Sequence, residues 1–268
     1  MVDEAEKILV SLTSSESKRL IAKGVRNVEE VARALKHGTI LIGLGTTNAY
    51  VVEEILKMLP EGSAMKQIDR QRYAAGVVTD RGTCVVKKEA REMEVVIKKG
   101  VIIEQSLEEA IESLAAGDVF IKGANALDAA GTAGILLAHP AGGTIGSALG
   151  TVMARGVTFI IPVGIEKTIP YSITEAAKRV GQERFFKSVG MPVGLMPVHG
   201  TIITELEALK LLGAADAFPI GAGGVDGGEG SVVMCAEGSA DKMEELMRIL
   251  SEIKGEARVS VASVVCSA

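Results

Sequence analysis

The chain of 268 residues contains no tryptophan, three tyrosines and five phenylalanines, and aromatic side chains make up only 3% of it. This scarcity argues against a surface on which nucleic-acid bases stack. Lysine and arginine are spread along the chain without a basic stripe, and the formal net charge is -5. We therefore expect no nucleic-acid partner.

Long apolar runs and clustered cysteines are also absent. A run such as Thr158 to Val163 is far too short to span a bilayer, so we expect no membrane partner. The acidic N-terminus lacks the basic-then-apolar order of a secretory signal. Cys84, Cys235 and Cys266 are too scattered for metal-ligand spacing. We expect reduced thiols, no metal, no cofactor and a cytoplasmic location.

The remaining composition, 47% hydrophobic and 24% charged, is typical of a folded protein. Units of strand, glycine turn and helix alternate along the chain, beginning with the apolar segment Thr39 to Ile42, and predict an α/β fold. We expect a Rossmann-like parallel sheet with helices on both faces and a β-rich insertion at about residues 66–105. Residues 1–200, with N-terminal helices in residues 1–37, form the predicted phosphate-ligand-binding domain. Residues 201–268 form a small C-terminal α/β lobe or complete the main sheet.

The first glycine loop contains Gly43, Gly45, Thr46, Thr47 and Asn48, between a predicted strand and a predicted helix. Glycine lets the backbone approach a ligand closely, and the start of a helix offers unpaired N–H groups and partial positive charge. An anion suits this environment, although a tight turn with a threonine helix cap is the alternative. The loop lacks the third glycine of the dinucleotide fingerprint. The chain has neither Gly-Lys-Ser nor Gly-Lys-Thr, which excludes a Walker phosphate loop.

Two later loops and one lysine add further candidates, because loops that follow parallel strands gather at one edge of a sheet. These candidate ligand-binding residues are Lys122, Gly123, Asn125, Gly142, Gly143, Thr144 and Lys167. Asp128, close behind Asn125, is the candidate catalytic base. The competing interpretations are solvated lysines, an aspartate that caps a turn, and helix packing through small residues.

The order of these loops resembles the superfamily of ribose-5-phosphate isomerases, glucosamine-6-phosphate deaminases and CoA transferases, which also includes sugar-phosphate-sensing domains. The resemblance covers about residues 39–168 and rests on Gly-Leu-Gly-Thr-Thr, Gly-Ala-Asn-Ala-Leu-Asp, Gly-Gly-Thr and the later Gly-Ile-Glu-Lys. It implies a ligand phosphate on the first loop. The isomerases have two aspartates where this chain has Lys122 and Asn125. Their third loop leads into a helix with a catalytic glutamate, and residues 146–154 contain no acid.

Three functions remain open. The first is an enzyme acting on a small phosphorylated molecule, such as a sugar-phosphate isomerase, with Asp128 in place of the missing glutamate. The second is a ligand-sensing module that binds such a molecule without altering it. The third is a CoA transferase in which Glu229 forms the acyl intermediate, within the glycine-dense segment 221–230 that otherwise reads as a mobile hairpin loop. The sequence allows a homo-oligomer but does not specify one.

Overall fold

The structure, a computed structural model, describes residues 5–60, 67–261 and 263–267. Within them lie a six-stranded sheet, three sheets of three strands and eight α-helices, which confirms the mixed α/β class. None of the helices in these residues combines the length and the apolar character that crossing a bilayer requires.

The helices are α1 (Ser14–Arg26), α2 (Glu29–His37), α3 (Thr46–Leu56), α4 (Leu107–Ser113), α5 (Gly143–Arg155), α6 (Ile173–Ala177), α7 (Glu205–Leu211) and α8 (Ala240–Ile253). The strands are β1 (Glu6–Leu12), β2 (Thr39–Ile42), β3 (Gly76–Thr79), β4 (Gly82–Val86), β5 (Val95–Lys98), β6 (Val101–Ile103), β7 (Val119–Ile121), β8 (Ala126–Leu127), β9 (Ala133–Leu137), β10 (Thr158–Pro162), β11 (Gly194–Val198), β12 (Thr201–Ile203), β13 (Asp216–Gly223), β14 (Ser231–Gly238) and β15 (Val264–Val265).

The central sheet has the strand order β12-β10-β7-β2-β5-β6. The first four strands are parallel, whereas β5 runs antiparallel to β2 and β6 runs antiparallel to β5. The predicted β-rich insertion thus supplies an antiparallel edge to a mostly parallel sheet. Its other hairpin, β3–β4, belongs to a separate sheet with β15.

Helices cover both faces of this sheet, as predicted. Successive side chains of a strand point to opposite faces. Ile40 and Ile42 pack with residues of α1, α2 and α3 in one buried cluster. Leu41, between them, packs with residues of α4 and α5 in a second cluster. The loops at the ends of the strands are therefore held by a scaffold that is packed on both sides.

The N-terminal strand joins the C-terminal region. Residues 6–12, which fall in the region predicted to hold helices, form β1, and the helices begin only at Ser14. β1 pairs antiparallel with β14 from Glu6 opposite Gly238 to Leu12 opposite Val232, and β13 pairs with the other side of β14. A third buried cluster joins this sheet to α7 and α8. The sheet thus crosses the predicted domain boundary at residue 200.

The cysteines differ from expectation. Cys84 of β4 and Cys266 form a disulfide, so the prediction of reduced thiols is wrong for these two residues, and Cys235 is free. Near the C-terminus, the two residues of β15 pair with β4. That pairing brings together cysteines 182 positions apart, a proximity that their spacing along the chain does not show.

Candidate functional site

A cavity of about 190 Å³ lies where the loops after β2 and β7 meet the start of α5. The predicted convergence of glycine loops on one sheet edge is therefore found. The predicted site residues that line the cavity are Gly45, Thr46, Thr47, Asn48, Lys122, Gly123, Asn125, Gly142, Gly143, Thr144 and Lys167. Gly43 flanks the cavity behind Lys122, and Asp128 is not part of its lining.

The first wall of the cavity is the start of α3. Strand β2 ends at Ile42, and the amide of Gly43 donates to the carbonyl of Ile121 at 2.9 Å, which joins this loop to β7. Gly45 precedes the first turn of α3, and no side chain caps it. By contrast, α1, α4 and α7 each have a complete capping box. The partial positive charge of this helix end therefore faces the cavity without an internal partner.

Asn48, in the first turn of α3, is fully buried and held in one orientation. Its Nδ2 donates to the carbonyl of Gly43 at 2.7 Å and to that of Ile121 at 3.4 Å. Its Oδ1 finds no hydrogen-bond donor among the described residues. A buried acceptor without a donor is costly, and this one is closed off from solvent in the wall of the cavity.

The second wall is the start of α5. Gly142 and Gly143 have φ values of 79° and 58°, a left-handed conformation that favours glycine. No side chain caps this helix either. Thr144, in its first turn, donates its hydroxyl to Glu94 Oε1 at 3.1 Å. Two uncapped helix starts thus border one cavity, and uncapped α2 and α8 do not line it.

Lys122 is the half-buried cation of the site. It follows β7, and its Nζ donates to the carbonyl of Leu44 at 3.0 Å. Burial lowers the pKa of Lys122 to about 8; Glu94 opposes this shift, and Lys167 adds to it. Lys167 lies beyond β10 and donates from Nζ to the carbonyl of Ala124 at 3.0 Å. Neither lysine forms an ion pair with a carboxylate in the described part of the chain.

Arg91, Glu94 and His139 are not among the site residues predicted from the sequence. Arg91 and His139 line the cavity, and Glu94 contacts it through Thr144. The signal for Glu94 is the register of β5, since Ile42 is opposite Val95. The residue before an antiparallel strand therefore lies at the same edge as the residue after β2. His139 Nδ1 accepts the amide of Ala141 at 3.1 Å, which shapes the turn before α5.

Asp128 has a structural role. Its carboxylate is buried and accepts the backbone amides of Ala130, Thr132 and Ile173 at 3.0, 2.9 and 3.0 Å. These bonds, led by that from Ile173, lower its pKa. A carboxylate bound to three amides outside the cavity is a poor proton acceptor. Its role as a catalytic base stays a prediction that this geometry does not favour.

Glu229 lies in a different place from the cavity. A wider groove of about 640 Å³ separates the start of α1 from the β3–β4 hairpin and the loop between β13 and β14, and Glu229 lines this groove. Its carboxylate is exposed and pairs with Arg258 at 3.2 Å. Thr46 borders both the groove and the cavity. Elsewhere in the described residues, no group of three or more His, Cys, Asp or Glu side chains is placed to hold a metal ion.

A scan against protein-family models finds no match for the chain, and a search of curated proteins finds no significant relative. The resemblance inferred from the glycine loops remains an expectation, and the geometry of the cavity carries the functional argument.

Proposed function

We propose that this chain binds a small phosphorylated ligand of the sugar-phosphate kind in the cavity between the starts of α3 and α5. Its scaffold would be a Rossmann-like sheet, with the ligand at the carboxyl ends of the parallel strands, where such folds hold their ligands. The observation that carries the proposal is the convergence of two uncapped helix starts and two lysines on one cavity.

Charge is the first support for an anion. Each helix start contributes about half a positive charge. Lys122, Lys167 and Arg91 add three cations to the lining, against the single carboxylate of Glu94 next to it. A phosphate monoester carries about -1.5 to -2 charges near neutral pH. The positive excess at the cavity therefore suits a phosphate, and the open N–H groups of both helices suit its oxygens.

Size is the second support. The cavity, at about 190 Å³, is smaller than the roughly 300–1,000 Å³ typical of pockets for drug-sized ligands. A phosphate with a short polar carbon chain fits such a volume.

Glu94 is the carboxylate best placed for chemistry on such a ligand. It is half-buried, its charge raises the pKa of Lys122, and it accepts the hydroxyl of Thr144 in the cavity wall. A carboxylate next to a bound polyol can accept a proton from carbon or oxygen. Proton transfer within the ligand, as in an isomerase, therefore involves Glu94 in this proposal rather than Asp128.

The proposal is tested by thermal unfolding with inorganic phosphate, ribose 5-phosphate and ribose. A ligand at about 100 times its Kd stabilises the folded state by about 2.7 kcal/mol. We expect both phosphate compounds to raise the melting temperature and ribose to leave it unchanged. Lys167→Met should raise the Kd for phosphate about tenfold or more. Lys98→Met, at an exposed lysine of β5, should leave this Kd unchanged.

Two outcomes would count against the proposal: no phosphorylated compound raises the melting temperature, or Lys98→Met weakens binding as much as Lys167→Met. Phosphorus NMR of recovered ribose 5-phosphate then separates an enzyme from a sensing module. An altered spectrum that requires Glu94 supports an enzyme. An unaltered ligand supports the sensing module.

A further inference from the structure

The amino group of Lys122 is arranged as a nucleophile rather than as one half of an ion pair. Lys122 lines the cavity, and the hydrogen-bond partner of its Nζ is the neutral carbonyl of Leu44 at 3.0 Å. In the described residues no carboxylate lies within 4.0 Å of it. A neutral amine can donate one hydrogen to this carbonyl and keep its lone pair for a ligand.

The fold also makes a slot for this side chain. A Cβ added at Gly43 would come within 2.9 Å of Lys122 Cδ and within 3.5 Å of Thr144 Cγ2. The first distance is closer than real Cβ contacts allow, so a larger residue at position 43 would displace the lysine stem. Gly43 therefore permits Lys122 to reach from the end of β7 into the cavity.

Burial makes the amine more reactive. The pKa of Lys122 is about 8, compared with its ordinary 10.5. At neutral pH, its neutral fraction is therefore on the order of a hundred times that of an ordinary lysine. Lysines desolvated in this way are those that form Schiff bases with carbonyl compounds.

We infer that Lys122 forms a Schiff base with the carbonyl carbon of a small phosphorylated aldehyde or ketone held in this cavity. The inference rests on the proposed function for the phosphate end of the ligand. It adds the carbonyl group as the second recognised feature and makes Lys122 the residue that bonds to it.

The step is balanced within the site. The Nζ lone pair attacks the carbonyl carbon, the C=O electron pair moves to oxygen, and a proton passes from nitrogen to that oxygen to give a carbinolamine. A second proton then converts its hydroxyl into water, which leaves as the nitrogen lone pair forms the C=N bond, and the iminium nitrogen gives up its remaining proton. Amine and carbonyl thus yield imine and water. Glu94, whose charge acts on Lys122 and whose carboxylate accepts the hydroxyl of Thr144 in the cavity wall, can supply the second proton and take up the one that the nitrogen releases.

Reductive trapping tests this inference. The protein is incubated with sodium cyanoborohydride and dihydroxyacetone phosphate, dihydroxyacetone or pyruvate, followed by intact-mass measurement and peptide mapping. We expect a single adduct on Lys122 with dihydroxyacetone phosphate, formed at least about tenfold faster than on any surface lysine. Dihydroxyacetone should react more slowly because it lacks the anionic end. Pyruvate separates recognition of a carboxylate from recognition of a phosphate.

Lys122→Arg keeps the cation but cannot form the imine, so the specific adduct should be lost. Lys122→Met serves the same purpose if the arginine variant does not fold, and Lys98→Arg is the matched control that should retain the adduct. Adducts scattered over surface lysines, or an undiminished adduct in either Lys122 variant, would overturn the inference.

The two proposals fail separately. If inorganic phosphate stabilises the wild-type protein but no adduct forms on Lys122, the Schiff base is wrong and phosphate binding stands. If dihydroxyacetone and its phosphate label Lys122 equally and phosphate does not stabilise the protein, the Schiff base stands and phosphate recognition is wrong.

Discussion

Replacing Lys122 with methionine should stabilise the unliganded protein, because the fold holds this ammonium group partly out of water at a cost. The fall of its pKa from 10.5 to about 8 corresponds to about 3 kcal/mol. Because the folded-state pKa is the lower one, this cost is complete below about pH 8. It disappears as the pH rises from 8 to 10.5. Loss of the hydrogen bond to Leu44 destabilises the variant by about 1 kcal/mol. The net increase in its free energy of unfolding is therefore about 2 kcal/mol at pH 7.

Urea unfolding followed by circular dichroism measures this gain, since the chain has no tryptophan to report by fluorescence. We expect Lys122→Met to exceed the wild type by about 2 kcal/mol at pH 7 and to lose this advantage above about pH 10.5. Burial also lowers the pKa of Lys18 to about 8. Because both proteins keep Lys18, the difference between them reports on Lys122. Lys98→Met is the control. A less stable Lys122→Met at pH 7, or a difference that does not change with pH, would refute the reasoning.

Three further predictions concern neighbouring groups. Burial, followed by the charge of Glu166, raises the pKa of Glu205 from 4.5 to about 7. The folded protein thus loses stability as pH rises through that window, and Glu205→Gln should be about 1–3 kcal/mol more stable than wild type at pH 8 but little changed at pH 4.5. Because Glu94 raises the pKa of Lys122, Glu94→Gln should move the pH profile of the trapping rate to lower pH. Cys84→Ser should lower the free energy of unfolding by about 2–4 kcal/mol under non-reducing conditions.

Each of these three predictions has a control and an outcome that would contradict it. Urea unfolding at both pH values tests Glu205, and equal effects at pH 4.5 and 8 would contradict its assigned titration. Glu92→Gln is the control for Glu94, and the same pH shift in both variants would remove Glu94 from the site. Cys235→Ser, at the free cysteine, should leave stability nearly unchanged. If a reducing agent lowers the stability of Cys84→Ser as much as that of the wild type, the loss of stability does not come from breaking the disulfide.

The sequence predicts most of the first loop because its signals are local. The apolar run of β2 ends at Ile42, two glycines follow, and α3 begins at Thr46, so strand, turn and helix are all specified by neighbouring residues. The same reasoning places Lys122 and Thr144 at the edge of the sheet. Both lie directly after a predicted strand or at the start of a predicted helix, and parallel strands bring such positions together.

The features that were missed depend on distant partners. β1 is a strand because it pairs with β14 from Glu6 opposite Gly238 onward, and no neighbouring residue specifies that pairing. Glu94 reaches the cavity because β5 is antiparallel to β2 in a register that puts Val95 opposite Ile42. A one-residue shift would turn the strand over. Register and pairing are set by packing across the whole sheet, which periodicity along the chain does not reveal.

Several energetically unfavourable features lie together at this cavity, and this is the physical reason to regard it as a candidate binding site. A helix without its side-chain cap gives up about 1 kcal/mol, and both α3 and α5 begin uncapped here. Asn48 Oδ1 lacks a donor, and Lys122 is a cation removed from water without a carboxylate partner. The two helix starts and the lysine call for the same complement, an anion. Sequences that satisfy local rules elsewhere tend to break them where function requires it. A ligand that supplies anionic oxygens to these groups would therefore recover in binding part of the stability that the unliganded fold forgoes.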